Sequence, residues 1–343
     1  IYYSFLKMIE DYKPDSVYVF SGRFAHTQAV FSACKEAKTD CFIHERGSNL
    51  FKYSITENST ITDLDYNYKA ILSAWENADE TTRLDLGTQF YTNRRKGIIQ
   101  NWYSFTKDHV TQYPDNWNPN KRNILILHSS DDELSTAWHN DTFNIFPDQI
   151  SGIRAIVDYY NQQDEIHFYL RIHPNFKTVT SPRKAELYAI NSKCLTVIPA
   201  ESNMSTYLLL DSCEKSISFG STAGVEASFW NKPSILVGNS FYKGLGSTYE
   251  PSTQEELFSM IENTLPLLPK EGALKYGYYT ETFGIPFKNY KSIDLTKGLF
   301  MGHEISDQPP FIKRMYQKII SLSPSLSARI REKRVMRSRS NYC

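Results

Sequence analysis

Neither sign of charge is in surplus. Thirty-eight lysines and arginines meet 38 aspartates and glutamates, so nothing global draws the chain to nucleic acid. No apolar run approaches the roughly 18 residues of a membrane-spanning helix, which argues against an integral membrane protein. Cysteine is sparse: the five (Cys34, Cys41, Cys194, Cys213, Cys343) are odd in number, scattered and without metal-ligand spacing. A disulfide scaffold or zinc site is therefore not expected, and a reducing cytoplasm is the simplest compartment. No internal repeat or low-complexity block occurs. Apolar residues are what is plentiful: 41% hydrophobic and 14% aromatic residues fill substantial cores, and 343 residues suit two domains of roughly 150 each.

The chain opens at Ile1 with no basic-then-apolar leader, directly on a helical pattern of Tyr2, Phe5, Leu6 and Ile9. The expectation is a segment cut from a longer protein, with its first domain incomplete. Residues 1–112 form that domain, with strands at Ser16–Phe20 and Cys41–His44 around a helix at His26–Ala37. Beyond Ile61 the pattern turns helical, with Tyr68, Ile71, Leu72 and Trp75 on one stripe. Residues 113–120, with Pro114 and Pro119, are the best linker, because neither proline fits inside a helix or central strand.

The second domain, 121–300, restarts on Asn123–Leu127, a continuous apolar run suited to a strand covered on both faces. Helices at Ile150–Asn161, Pro182–Asn191, Ser205–Asp211 and Ala223–Asn231 alternate with strands at His167–Ile172, Leu195–Ile198, Ser216–Phe219 and Ser234–Val237. Strands separated by helix-length segments need right-handed crossovers and a parallel, doubly wound sheet. Residues 301–343 read as a helix around Phe311–Ile320 and a tail in which Arg329, Arg331, Lys333, Arg334, Arg337 and Arg339 face only Glu332. That tail is either solvated or a peripheral contact with anionic headgroups at the inner face of the membrane, worth ~1 kcal/mol per basic residue.

In an open parallel sheet, ligands bind beyond the carboxyl ends of the strands. Three of those loops stand out. Phe219-Gly220-Ser221-Thr222-Ala223-Gly224-Val225-Glu226 turns from strand to helix on small residues, and the first amides, the Ser221 and Thr222 hydroxyls and the helix dipole make a phosphate seat. Gly220 and Gly224 would allow close ligand approach, and Glu226 could accept from ribose hydroxyls. The plainer alternative is a well-capped helix with an incidental acid. His173, in Leu170-Arg171-Ile172-His173-Pro174-Asn175, is left at the sheet's rim by the proline; it could donate to a phosphate and titrate near neutrality, or be structural. Asp131, Asp132 and Glu133 follow the first strand of the domain after His128-Ser129-Ser130, and could seat a metal, act as base or nucleophile, or favour a helix start. In the first domain Arg23, Glu45 and Arg46 lie at strand ends, where either arginine could hold a carboxylate or phosphate bidentately or be a surface charge. Asp63 and Asp65 form only a weak metal motif at a helix start.

Taken in order, the strand ending in Arg-Ile-His-Pro-Asn (171–175), the run from Ser216 to Ala227, the segment from Trp230 to Gly238, and Phe241-Tyr242 before Gly244 and Gly246 resemble the capsule polysaccharide synthesis glycosyltransferases. That group includes the Kdo transferases of capsule assembly. The resemblance covers roughly residues 121–250; the first third matches more loosely, through Glu45-Arg46-Gly47. It implies the α/β GT-B architecture: two Rossmann-like domains with parallel sheets facing across a cleft, and the donor held mostly by the second. It further implies a nucleotide-sugar donor, CMP-linked in the Kdo-type members, and no cofactor or bound metal, leaving phosphate charge to helix amides and basic side chains. Arg171 and Tyr242 join Gly220, Ser221, Thr222, Ala223 and Glu226 on the donor side, and Arg23 and Arg46 serve the sugar or acceptor. An acid after the first strand takes part in catalysis; the nearest are Asp131 and Asp132, with His173 and Glu45 completing the catalytic set. The family's glutamine-containing version of that loop is replaced here by His128-Ser129-Ser130. The acceptor expected is an oligosaccharide or lipid-linked glycan. Rival readings are a CDP-polyol phosphotransferase of the teichoic-acid type, a sugar-nucleotide epimerase, and a glycan-assembly protein without turnover.

Overall fold

A computed structural model describes residues 1–98, 109–130, 145–178 and 182–306. The chain forms two compact units, the first running to Pro286 and the second beginning at Phe287.

The first unit opens with α1 (Tyr2–Tyr12), β1 (Ser16–Phe20), α2 (Ala25–Ala37), β2 (Asp40–Arg46) and β3 (Lys52–Glu57). β1 and β2 pair in parallel across α2, as the strand–helix–strand pattern requires. The first sheet is nevertheless mixed, because β3 returns antiparallel on β2, pairing Phe42 with Glu57 and Arg46 with Tyr53. Only β1–β2 in this sheet meets the expectation of parallel strands. Ile9, Val19, Ala33, Cys34, Cys41 and Ile43 make its core. α3 (Leu64–Glu76) and α4 (Glu80–Arg95) follow. Asp63 caps α3 by accepting the Tyr66 N–H at 2.9 Å, so the Asp63–Asp65 pair is a helix start. Residues 113–120 lie along the second domain: the Trp117 ring packs on Tyr169 at a 35° tilt, centroids 4.6 Å apart, and the Tyr113 and Ser212 hydroxyls share a hydrogen bond at 2.7 Å.

The second domain is built on β4 (Arg122–Leu127), β5 (Ile166–Arg171), β6 (Leu195–Ile198), β7 (Lys215–Ser218) and β8 (Ser234–Leu236), all parallel. Between them run α5 (Gln149–Tyr160), α6 (Pro182–Tyr188), α7 (Thr206–Ser212) and α8 (Ala223–Phe229). The strand order is β6-β5-β4-β7-β8, so the chain winds outward from β4 in both directions and leaves a switch point there. The apolar run of β4 is buried from Asn123 to Leu127, as a central strand must be. One face packs on α5 and α9 (Gln254–Glu262) through Ile153, Ile156, Leu257 and Ile261. Cys194 and Cys213 are buried in this domain as Cys34 and Cys41 are in the first.

The chain then returns. α10 (Glu271–Thr282) packs on α4, where a Cβ on Gly277 would stand 2.6 Å from the Gly87 carbonyl oxygen, so only glycine permits the contact. β9 (Ile285–Pro286) pairs with β3, closing the first sheet as β1-β2-β3-β9. Residues 271–286 therefore belong to the first domain's side, although the sequence reading gave everything from 121 to 300 to the second.

In the second unit, β10 (Tyr290–Ser292), β11 (Lys297–Phe300) and β12 (His303–Ser306) form an antiparallel meander. The segment read as helix and tail from 301 thus starts with a strand; Phe311–Ile320 and the basic residues lie outside the described residues. Among the described residues no helix is long and apolar enough to cross a membrane.

Candidate functional site

β5, β4 and β7 are neighbours, so the three loops singled out in the sequence emerge side by side. Leu127 is in register with Arg171 on one flank and Ser218 on the other, which starts residues 128–130, 172–176 and 219–222 at one level. They line a cavity of about 320 Å³ to which the first domain adds Arg23, Ile61, Thr62 and Arg94. Arg23, Arg94 and Arg171 face it against the single carboxylate of Glu226, so its described lining favours an anion.

The small-residue turn is held from behind. Gly220 takes φ +93°, a conformation that suits only glycine. The Ser221 carbonyl accepts from the Ser218 hydroxyl at 3.0 Å, the Tyr242 hydroxyl at 2.7 Å and the Gly224 N–H at 2.9 Å. Thr222 starts α8 without capping it through its own side chain; the Ala223 N–H meets the Ser221 Oγ at 3.4 Å instead, so the turn's own serine closes the helix start. Two expectations change here. Gly224 is small for packing, since a Cβ would stand 2.5 Å from the Tyr242 hydroxyl and 2.6 Å from the Ser218 Cβ. Tyr242 is fully buried and braces the turn without lining the cavity.

His173 lines the same cavity. Its Nδ1 accepts the Asn175 N–H at 3.2 Å, which fixes the remaining proton on Nε2. Burial first, then the charges of Arg171 and Arg94, lower its pKa to about 4. The imidazole is therefore neutral at physiological pH, not poised near neutrality as expected for a rim histidine. Arg171 is 4% exposed and spends its donors on the Pro199 carbonyl at 2.7 Å and the Ser202 carbonyl at 2.9 Å. Burial lowers its pKa to about 10, still charged, so it lends the cavity positive potential while bracing the loop before α7.

Glu226 is 2% exposed, and its two oxygens are engaged by the Arg94 Nε at 2.9 Å and by the Tyr207 hydroxyl. A free ribose acceptor was expected; the carboxylate instead holds a guanidinium at the cavity wall. Two-fifths of the Arg94 side chain faces the open crevice. Burial works most strongly against its charge, but the Glu226 carboxylate, with Tyr207 and Tyr276, outweighs this and raises its pKa.

A second cavity of about 530 Å³ adjoins the first, sharing Ile61, Phe241 and Tyr276. Glu45 and Arg46 line this one, with Tyr66, Tyr279 and Phe283. Glu45 accepts the Arg46 N–H through Oε1 at 3.1 Å, while its buried Oε2 has no partner among the described residues. The structure thus gathers Arg23, Arg171, His173, Gly220–Ala223 and Glu226 at one cavity and sets Glu45 and Arg46 in its neighbour. Asp131 and Asp132 lie outside the described residues. Among the described residues no group of three His, Cys, Asp or Glu side chains is placed to hold a metal. Arg94, Tyr207 and Tyr276 were not read from the sequence. Arg94 and Glu226 are 132 residues apart, and no local pattern connects them.

No family model matches the sequence. No curated protein matches it either. Solved structures do resemble the fold. The Thermosulfurimonas dismutans KpsC β-Kdo 2,4 transferase superposes with a TM-score of 0.51 at 12% identity, over 77% of this chain and 79% of that one. The β-Kdo 2,7 transferase of the same KpsC gives 0.48 at 14%, over 93% and 88%. The UDP-GlcNAc 2-epimerase from Methanocaldococcus jannaschii gives 0.33 at 14%, over 82% and 78%. At such identities the likeness speaks to architecture, and it agrees with the strand order and the shared cavity: the fold is α/β, of the GT-B type, with two Rossmann-like domains facing across a crevice.

Proposed function

We propose that this protein is a glycosyltransferase that moves a sugar from a nucleotide-activated donor, CMP-linked, to a surface polysaccharide or lipid-linked glycan. The observation that carries the reading is the convergence of three strand-end loops on one cavity lined by three guanidinium groups, a neutral imidazole and the Gly220–Ala223 turn. As the bond from the anomeric carbon to the phosphate oxygen breaks, its electron pair stays on phosphate. The Nε2–H of His173 and the Ser221 and Thr222 hydroxyls receive that charge, within the field of Arg94 and Arg171. The incoming acceptor oxygen forms the new bond and gives its proton to a carboxylate, Asp131 or Asp132, with Glu45 available from the adjoining cavity. Charge on the leaving phosphate is balanced by these groups without a bound metal.

A thermal-shift screen across nucleotides and nucleotide sugars, followed by calorimetry with CMP and CDP-glycerol, tests the donor. Binding of CMP and transfer to a glycan, with turnover reduced about 10²–10³-fold in His173→Ala, is the expected result. Preference for CDP-glycerol would move the reading to a polyol phosphotransferase. Consumption of a nucleotide sugar with no acceptor present, followed by NMR, would make the protein an epimerase. Nucleotide binding without any transfer would leave a binding protein.

A further inference from the structure

The loop after β4 is the central one of the three, and its side chains have an unusual status. His128 is 2% exposed and Ser129 4%, and both line the cavity beside His173. The His128 Nδ1 faces the His173 backbone N–H at 3.5 Å, and Phe176 meets the ring edge-on at 4.6 Å. That arrangement leaves the proton on Nε2, which is buried without a partner among the described residues, as is the Ser129 hydroxyl. Buried polar groups are nearly always hydrogen-bonded, and here two adjacent ones lack a described partner on one cavity wall.

The backbone beneath them is rigidly held. The Ser129 N–H donates to Gln149 Oε1 at 3.2 Å, and Gln149 Nε2 donates to the Ser129 carbonyl at 3.1 Å, while Gln149 itself is fully buried at the start of α5. This two-point clamp fixes where both side chains stand, as a binding contact needs. The imidazole is uncharged, because burial above all, with His173 and Arg183 nearby disfavouring a further positive charge, lowers its pKa to about 3.

We propose that the His128 Nε2–H and the Ser129 hydroxyl form a further binding position for an oxyanion of the nucleotide-sugar donor, between the His173 loop and the Ser221–Thr222 turn. The inference rests on the nucleotide-sugar reading for the identity of the ligand, and on the unpaired donors alone for its chemistry. An oxyanion in this cavity is either a phosphate oxygen or a carboxylate on the sugar; both accept the same hydrogen bonds.

Two substitutions at one position separate binding from scaffolding. His128→Asn keeps an acceptor where Nδ1 meets the His173 amide and removes the donor at the Nε2 position. His128→Gln carries an amide N–H to the Nε2 position and loses the Nδ1 contact. Calorimetry with inorganic pyrophosphate, CMP and CMP-N-acetylneuraminate should find affinity lowered about tenfold in His128→Asn and largely kept in His128→Gln. Loss on pyrophosphate and CMP assigns the contact to phosphate; loss on the sugar nucleotide alone assigns it to the carboxylate. The opposite order, Gln weaker than Asn, would make His128 a support for the His173 loop and overturn the proposal. Wild-type affinity in His128→Asn overturns it while leaving the nucleotide-sugar reading intact. Pyrophosphate binding that depends on His128, with no nucleotide bound, upholds the contact and sinks that reading, and a wild-type protein that binds none of the three probes sinks both. If His128→Asn does not fold, Ser129→Ala, whose main chain stays clamped by Gln149, carries the same comparison.

Discussion

Two of the cavity's histidines, His128 and His173, are held neutral by burial, and that has a direction in pH. His173 and His128 have folded pKa values of about 4 and about 3, against roughly 6.5 for an unperturbed imidazole. The unfolded chain binds protons that the folded one refuses, so their contribution is complete above pH 6.5 and is lost as pH falls toward those lower values. Each costs up to about 1.4 kcal/mol per pH unit within that window. Urea midpoints of wild type and the His128→Asn/His173→Asn double variant, compared between pH 7.5 and pH 5, should converge as the medium becomes acid; parallel curves would contradict the assignment. At Glu226 the expectation concerns the fold as much as the ligand. Glu226→Gln removes the charge facing Arg94 and should lower stability by about 1–3 kcal/mol, moderated because that guanidinium can turn into the open crevice. Unchanged denaturation would return Glu226 to the ribose role first expected of it.

At the scale of elements, the second-domain strands were legible because continuous apolar runs bounded by breakers have few alternatives. Ser205 and Asp79 cap their helices, each accepting a backbone N–H three residues on. β3 escaped notice: Lys52–Glu57 carries charge at both ends and only one buried residue, Thr56, so its strand character comes from pairing with β2. α10 and β9 could not be assigned to their side of the molecule from sequence, because their partners on α4 and β3 lie roughly two hundred residues earlier, as with the Tyr91 hydroxyl on the Ala273 carbonyl. Of the site, the loops were legible from strand-end rules, whereas the division of labour within them depends on packing: Tyr242 and Gly224 turned from ligand contacts into supports. Lys215 is another buried device that sequence hides. Its ammonium is fully buried under the end of α9, bonded to the carbonyls of Met260 at 3.0 Å, Ile261 at 3.0 Å and Asn263 at 2.5 Å. Lys215→Met leaves those acceptors unmet and should destabilise the protein by about 1–3 kcal/mol or more, read from chemical denaturation. A neutral result would mean that water replaces the ammonium there.

For the molecule as a whole, the crevice is backed by a core that belongs to both domains. Ile71 and Phe90 from α3 and α4, Val225 and Phe229 from α8, and Ala273 and Tyr276 from α10 form one buried cluster. Residues 1–286 should therefore unfold together, with calorimetric and van't Hoff enthalpies in agreement for that unit; two resolved transitions within it would show the domains to be independent. A nucleotide at a hundredfold excess over its dissociation constant should raise the stability of that transition by about 2.7 kcal/mol.

The buried thiols divide evenly between the two halves, Cys34 and Cys41 under the first sheet, Cys194 and Cys213 under the second. Alkylating reagents can reach these sulfurs only after the surrounding layer parts, so labelling rates, resolved by peptide mass, become two clocks on one polypeptide. If the shared backing holds, both pairs keep the same time.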